Sequence, residues 1–355
     1  MGGGLPGAKE ICMKKSVLAL ATLVSLSGAA MAQSSVTVFG IVDLAMRNLK
    51  GDDDLKLLSN EGRAASRLGF RGVEDLGGGM KASFHIEHGL NADDGTTDSV
   101  FWQRRATVSL SGGFGEVRLG RHKTATRTIV DDFDPFGTSG MPALSRIYGP
   151  LAGLTLNRAD NQVAYIFPAM GGFYGNVEVN AGENSNNSNS HRGVAGRIGY
   201  KAGALNVSAA YGQHGTGNKL KSATVGGSYD FGAFMLSGMY TKNEAGAADQ
   251  SVLHVGATVK LGQGKLIGSF GKADGNGTTT VAGTPRQNAD ATLIAIGYDY
   301  SLSKRTTLYT TYARIDNKEA TRFTLNGAKG AALIASGSPL GRDSTGYEFG
   351  IRHNF

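Results

Sequence analysis

Cysteine is almost missing from this chain: of 355 residues only Cys12 carries a thiol. One cysteine builds no disulfide framework, so a chain exported from the cytoplasm must be held by other means, such as a closed hydrogen-bonded ladder. Long apolar runs are equally scarce. A membrane-spanning helix needs roughly 18 or more consecutive apolar residues, and beyond residue 33 the longest run is about Ala331 to Ala335. With a mean hydropathy of −0.17, a bundle of membrane helices is excluded. A barrel is not, because its strands need only about 9–11 residues with every second one apolar. Charge of one sign does not dominate either. The formal net charge is +7, a mild surplus that argues for no nucleic-acid partner.

Motifs that carry catalysis or bind cofactors are missing too. The seven histidines are scattered, and no H-E-x-x-H, G-x-S-x-G or paired Cys/His spacing occurs. His85 and His88 are three apart on a strand, hence on opposite faces, and cannot share a metal. Gly262-Gln263-Gly264-Lys265 imitates part of a phosphate loop but reads better as a tight turn. We therefore expect no enzyme, no metal and no cofactor. A lipase barrel and a plugged scaffold or adhesin barrel are the rival readings, and neither a serine motif nor a plug segment before Val36 favours them.

The one long apolar run lies at the front. Met13-Lys14-Lys15 precedes Val17 to Val24 and the small-residue site Ala30-Met31-Ala32, the pattern of a secretory signal peptide over 13–32. Residues 1–12 fit no part of it and read as an upstream extension. Removing the leader takes away Lys9, Lys14, Lys15 and Glu10, leaving +5 on residues 33–355.

From Val36 onward the chain alternates. The clearest cases are Met80, Ala82, Phe84 and Ile86 against Lys81, Ser83, His85 and Glu87, and, at the end, Tyr347, Phe349, Ile351 and Phe355 against Glu348, Gly350, Arg352 and Asn354. A strand sends successive side chains to opposite faces, so each segment has an oily face and a wet one. Such segments recur about sixteen times, joined alternately by tight turns (Gly77-Gly78-Gly79, Gly112-Gly113-Phe114-Gly115, Gly262-Gln263-Gly264) and by longer polar stretches, including Asn243 to Gln250. Tight turns on one rim and long loops on the other describe an all-β fold, a 16-stranded antiparallel transmembrane β-barrel. Charged residues avoid the oily parity, as they must where Lys or Arg at the midplane costs roughly 2–4 kcal/mol. Strand four is placed at about Trp102 to Ser111, and after Lys123 the alternation lapses until about Arg158, an uncommonly long connection and usually a functional one.

Several stretches are distinctive: Ser66-Arg67-Leu68-Gly69-Phe70-Arg71-Gly72-Val73-Glu74-Asp75-Leu76-Gly77, Leu110-Ser111-Gly112-Gly113-Phe114-Gly115, Tyr298-Asp299-Tyr300-Ser301-Leu302-Ser303 and the closing Phe349-Gly350-Ile351-Arg352-His353-Asn354-Phe355. With these the mature chain resembles, along its whole length, the general diffusion porins of Gram-negative β-proteobacteria. The resemblance implies a passive channel for ions and small hydrophilic solutes in the outer membrane, assembled as a homotrimer among lipid and lipopolysaccharide. It also implies that the third loop, here 123–157 with Asp131-Asp132-Phe133-Asp134-Pro135-Phe136-Gly137, folds inward and sets acidic groups against wall arginines. The implied constriction set is Asp131, Asp132 and Asp134 facing Arg67, Arg71, Arg104, Arg105, Arg118 and Arg158. Arg67 and Arg71 have water-facing parity, and of the neighbours Arg104 and Arg105 one must face inward. Counting from the turns puts Arg71 and Arg118 low, Arg67 and Arg105 at mid-height and Arg158 high. This arginine set and the +5 balance lead us to expect a weak to moderate preference for anions.

Overall fold

The computed structural model describes residues 1–2, 35–97, 100–137, 139–148, 157–182, 192–215, 219–276, 279–281, 284–286, 290–318, 321, 323–326 and 341–355. The leader and the 149–156 part of the long loop lie outside the described residues.

Seventeen strands form one sheet and two more a small hairpin. In chain order they are β1 (Ser35–Lys50), β2 (Asp54–Ser59), β3 (Arg67–Gly77), β4 (Met80–Gly89), β5 (Arg105–Gly112), β6 (Gly115–Lys123), β7 (Arg158–Ile166), β8 (Phe173–Asn180), β9 (Gly193–Ala202) and β10 (Leu205–His214). After these come β11 (Leu220–Asp230), β12 (Phe234–Ala245), β13 (Ala248–Leu261), β14 (Gly264–Asn276), the hairpin β15 (Thr279–Val281) and β16 (Thr284–Arg286), β17 (Ala291–Ser301), β18 (Thr306–Asn317) and β19 (Ser344–Asn354). Every neighbouring pair is antiparallel, and β19 returns to pair with β1 from Ile41↔Asn354 to Lys50↔Thr345. β2 and β3 both pair with β1 on its other side, β2 along Ala45–Lys50 and β3 along Ser35–Ile41. They are one stave interrupted at 60–66, so the closed barrel has sixteen staves.

The barrel closes at its last residue. Gly40 and Phe355 exchange both backbone hydrogen bonds at 3.1 Å, and the Phe355 ring lies over Gly40, where a Cβ would fall 2.3 Å from it. The alternation of the sequence becomes the alternation of the wall. Met46, Val108, Ile198, Val225, Val255, Ile296 and Phe349 are each at least half exposed, whereas their neighbours Arg47, Ser109, Thr224, His254 and Glu348 are buried. An apolar band of that extent has no place in water and every reason to face lipid.

Two strand limits differ from the sequence reading. The stretch Asn243 to Gln250 is not a long loop: β12 and β13 run on to Ala245↔Ala248 and turn at Gly246, whose φ of 60° suits glycine. Polar side chains concealed the extension, since strands at a rim need no oily face. β5 starts at Arg105, and Trp102 belongs to the loop before it, its ring edge-on to outward-facing Phe70 at 6.5 Å.

The interior is not uniformly wet. Between β6 and β7 the chain forms helix α1 (Ala125–Phe133), with Thr124 as N-cap accepting the Arg127 N–H at 3.2 Å. Glu178 on β8 accepts the Ala125 N–H at 2.8 Å, a carboxylate placed where a helix N-terminus favours one. Asp134 is extended and precedes Pro135, which ends the helix. Its buried face, Ala125, Ile129, Val130 and Phe133, lies against β8–β12. Phe136, Met141, Leu144 and Ile147 continue that contact, joining inward-facing Met239, Val252, Ile267, Leu293 and Ile315 in one apolar cluster. Glycines on the wall seat the knobs: a Cβ at Gly226 would lie 2.6 Å from the Phe133 ring, at Gly256 2.5 Å from Pro135 and at Gly297 2.9 Å from Phe136. Over these staves the outer face is apolar, and the inner face carries this apolar cluster among buried polar side chains such as Thr224, Gln250 and His254.

Val255→Lys puts a charge on the lipid face and is expected to cost about 2–4 kcal/mol in urea unfolding from a bilayer. Arg352→Gln, on the opposite parity, should stay within about 0.5 kcal/mol. Equal losses at the two positions would contradict the assignment of faces.

Candidate functional site

With the loop seated on β8–β19, the charged side chains lie on and opposite its other edge. β3 to β7 carry them on their inward parity. Glu87 Oε1 on β4 accepts from Arg104 Nε at 2.5 Å and from Arg67 NH1 at 3.4 Å. Arg67 and Arg104 thus share one carboxylate, and Arg158 stands beside them, its Nε donating to the Arg104 carbonyl at 2.6 Å. Arg105 faces inward by parity and donates to Thr107 Oγ1 at 3.0 Å. Arg104 precedes the strand, so both neighbours reach the interior. Lower down, the Arg71 guanidinium sits 5.1 Å from the Phe39 ring, and Arg118 pairs with Glu116 at 2.8 Å. Among the described residues no carboxylate lies within ion-pair distance of Arg71, Arg105 or Arg158.

The loop supplies the other edge. Arg127 and Asp131, one turn apart on the helix face turned away from the wall, pair at 3.0 Å. Asp131 also takes Lys123 Nζ at 2.5 Å, and Asp132 pairs with Arg197 on β9, whose guanidinium lies over the Tyr174 ring. Asp134 requires a correction. Its side chain is 1% exposed and accepts the backbone N–H groups of Phe136 at 3.0 Å and Leu144 at 3.2 Å. It lies beneath the loop and organises the backbone there, not at the lumen-facing edge with Asp131 and Asp132.

Other charged residues of the interior were not singled out from sequence. Arg197 alternates with outward-facing Ile198 and was readable from parity. Arg127 needed the helix, and Arg121, paired with Asp160 at 2.5 Å, is itself the residue at the irregularity between Gly120 and His122 that shifts the register. Among the described residues no group of three His, Cys, Asp or Glu is assembled to hold a metal ion.

The geometry sets an arginine-rich stretch of wall beside the charged edge of a loop packed on the inner face of the barrel. The family model for Gram-negative porins matches residues 18–320. The chain belongs to the Gram-negative porin family. The porin is 36% identical to outer membrane porin protein 32 of Delftia acidovorans over 97% of its own length and 100% of that protein. It is 29% identical to an outer membrane porin of Bordetella pertussis, covering 84% of this chain and 93% of that one. Among solved structures it matches an anion-selective porin from Comamonas acidovorans with a TM-score of 0.78 and 32% identity, over 91% of this porin and 100% of that chain. OmpT of Vibrio cholerae, at 16% identity and a TM-score of 0.65, shares the fold. The porin is thus an outer-membrane channel protein and not an enzyme.

Burial raises the Asp134 carboxyl from its ordinary 3.8 to about 7, against the lowering effect of its two backbone N–H donors. The folded porin therefore holds a proton that the unfolded chain releases between about pH 4 and 7. This contribution to stability is full below pH 4 and is lost as pH rises through 7. Hydrogen exchange at Phe136 and Leu144, corrected for intrinsic rates, should show a more open loop at pH 8 than at pH 5. Asp134→Asn should flatten that dependence, and an unchanged slope would reject the assignment.

Proposed function

We propose that this porin is a moderately anion-preferring diffusion channel whose neck lies between the Asp131–Asp132 edge of the third loop and Arg67, Arg104, Arg105 and Arg158 on the wall. Arg71 and Arg118 extend the basic surface toward the tight-turn rim. The observation that carries this reading is an imbalance of pairing. The loop carboxylates Asp131 and Asp132 are each engaged by Lys123, Arg127 or Arg197, whereas Arg71, Arg105 and Arg158 have no carboxylate at ion-pair distance among the described residues. The field left over is positive. The solved porin from Comamonas acidovorans, which bears anion selectivity in its name, supports the same sign.

Two unit charges about 8 Å apart interact by about 2 kcal/mol at an effective dielectric near 20 and by about 0.5 kcal/mol in bulk water. Selection on that scale is a modest factor and not a filter, and salt weakens it because the screening length is roughly 8 Å in physiological salt. No bond is made or broken: solutes cross down their gradient, sorted by size at the loop and by sign at the wall. Porins of this family are typically trimers, and we assign this chain the same homotrimeric state, with outer-membrane lipid and lipopolysaccharide against its apolar band.

Reversal potentials across a planar bilayer in a potassium chloride gradient test the proposal. The unmodified channel should favour chloride. Arg67→Glu and Arg158→Glu should each cut the chloride-to-potassium ratio several-fold near 0.1 M salt, with a smaller effect near 1 M as screening shortens to roughly 3 Å. A ratio unmoved by both substitutions would overturn the neck assignment.

A further inference from the structure

The interruption of the second stave does more than break a strand. Ala45↔Ser59 and Ile41↔Arg67 are both in register, so residues 60–66 stand opposite only 42–44 and leave the ladder. They turn inward because Asp43 holds them: its carboxylate accepts the N–H groups of Gly62 at 3.2 Å, Arg63 at 3.0 Å and Ala64 at 2.8 Å. Ser66 Oγ accepts the Asp43 N–H at 2.9 Å where the chain rejoins the wall. This fold carries Arg63 across the inner surface to β17, where Nε meets Asp299 Oδ1 at 3.0 Å. The same guanidinium lies 4.8 Å from the centre of the Phe136 ring, and Arg63 NH1 donates to the Phe136 carbonyl at 3.5 Å. Gly140 of the loop approaches so closely that a Cβ there would fall 1.8 Å from the Gly62 carbonyl oxygen. Arg146 completes the grip, donating to the Gly140 carbonyl at 3.0 Å and reaching Glu61 at 3.8 Å.

We infer that the 60–66 insert is a second pore-defining element and that Arg63 is its positioning residue, pinning the tip of the third loop to the wall at Asp299 and thereby setting the width of the neck. The inference rests on the reading that this loop narrows the passage. The Arg63 and Asp299 side chains are 4% and 3% exposed; Asp299 also has Lys265 Nζ at 3.7 Å from the neighbouring β14, so its carboxylate keeps a partner when Arg63 is removed, and it is the loop and not the barrel that loses its hold. The ladder does not depend on the pin, because β2 and β3 pair with β1 on either side of the insert. Lysine cannot replace the forked, ring-stacking guanidinium.

The test is single-channel recording on refolded porin. A loop freed from its pin populates a second position. Open-channel noise and brief closures should accordingly rise at least about threefold in Arg63→Ala and in Asp299→Asn, with Arg63→Lys intermediate. The double variant should be no noisier than Arg63→Ala alone, since the two groups act through one contact. The heat needed to unfold the barrel on a gel should stay near that of the unmodified protein in Asp299→Asn, which keeps the side-chain shape and decides the matter where Arg63→Ala does not assemble. Quiet, unmodified currents in Asp299→Asn, or additive noise in the double variant, would overturn the pin. Arg67→Glu recorded in parallel separates the two readings: a selectivity shift there with no change at position 63 or 299 rejects the pin alone, and no shift in either rejects the neck as well.

Discussion

In hydrocarbon a backbone N–H or C=O without a partner costs several kcal/mol, because no water is present to take its place. That constraint decides the architecture. A sheet with an edge is unsuitable, so the first and last strands must meet, and they do so from Ile41↔Asn354 to Lys50↔Thr345 with the Gly40 and Phe355 backbones exchanging bonds at the end of the seam. Gly40 is needed there because the Phe355 ring occupies the space of a side chain. Once the ladder is closed, variation is confined to the rims and the inside. Where the ladder is given up at residues 60–66, a carboxylate accepts three N–H groups in turn.

The inside is divided, and the division follows from packing. A sixteen-stave barrel is too wide for wall side chains to fill, so the third loop brings its own apolar underside and uses half of the wall as its floor. Small inward residues make this possible: Ala273, Ala291, Ala295 and Ala313 lie flat, and glycines receive Phe133, Pro135 and Phe136. Helix α1 is amphipathic in the ordinary way, except that its oily face meets the inner surface of a sheet whose outer surface is oily too. The solvent-reached arginines Arg67, Arg104, Arg105, Arg118 and Arg158 thereby gather on the remaining arc, on and around β3 to β7.

Much of this was legible in the sequence, and the limits of legibility are physical. Period-two alternation is a local property, so strands such as Met80–Gly89 and Ser344–Asn354 could be read directly, with the parity of Arg67, Arg71 and Glu348. The gap between Lys123 and Arg158 stood out for the same reason. Where the two faces do not differ, alternation fails: at the polar rim of β12 and β13 it hid a strand extension behind Asn243 and Gln250. Inward apolar residues such as Ile267 and Leu293 carry no mark distinguishing them from lipid-facing ones until the loop is placed against them. Asp134 sits beside Asp132 in sequence yet on the other side of the loop, because the helix ends between them. Arg63 lay in a stretch that reads as an ordinary polar connection. Its role arises from contacts with Asp43, Phe136 and Asp299, far away along the chain.

The same division explains how sign and size can be set separately. A charged group buried in a dry site must be paired, whereas one in a hydrated passage can stay single, because water solvates it. Arg47 with Glu348 and Arg63 with Asp299 are of the first kind, each side chain nearly inaccessible and each in an ion pair; they hold parts of the structure in place. Arg105 and Arg158 are of the second kind, partly exposed and without a carboxylate among the described residues, so their field extends into the passage. Glu87 tempers that field by standing between Arg67 and Arg104. In the function proposed above, selection by sign depends on which guanidinium groups remain unpaired on the wall. In the same proposal, selection by size depends on how firmly the loop is held by Phe133, Phe136 and the buried pairs behind them. A substitution in one group can change one property with little effect on the other, since the wetted wall and the dry floor of the loop share few side chains.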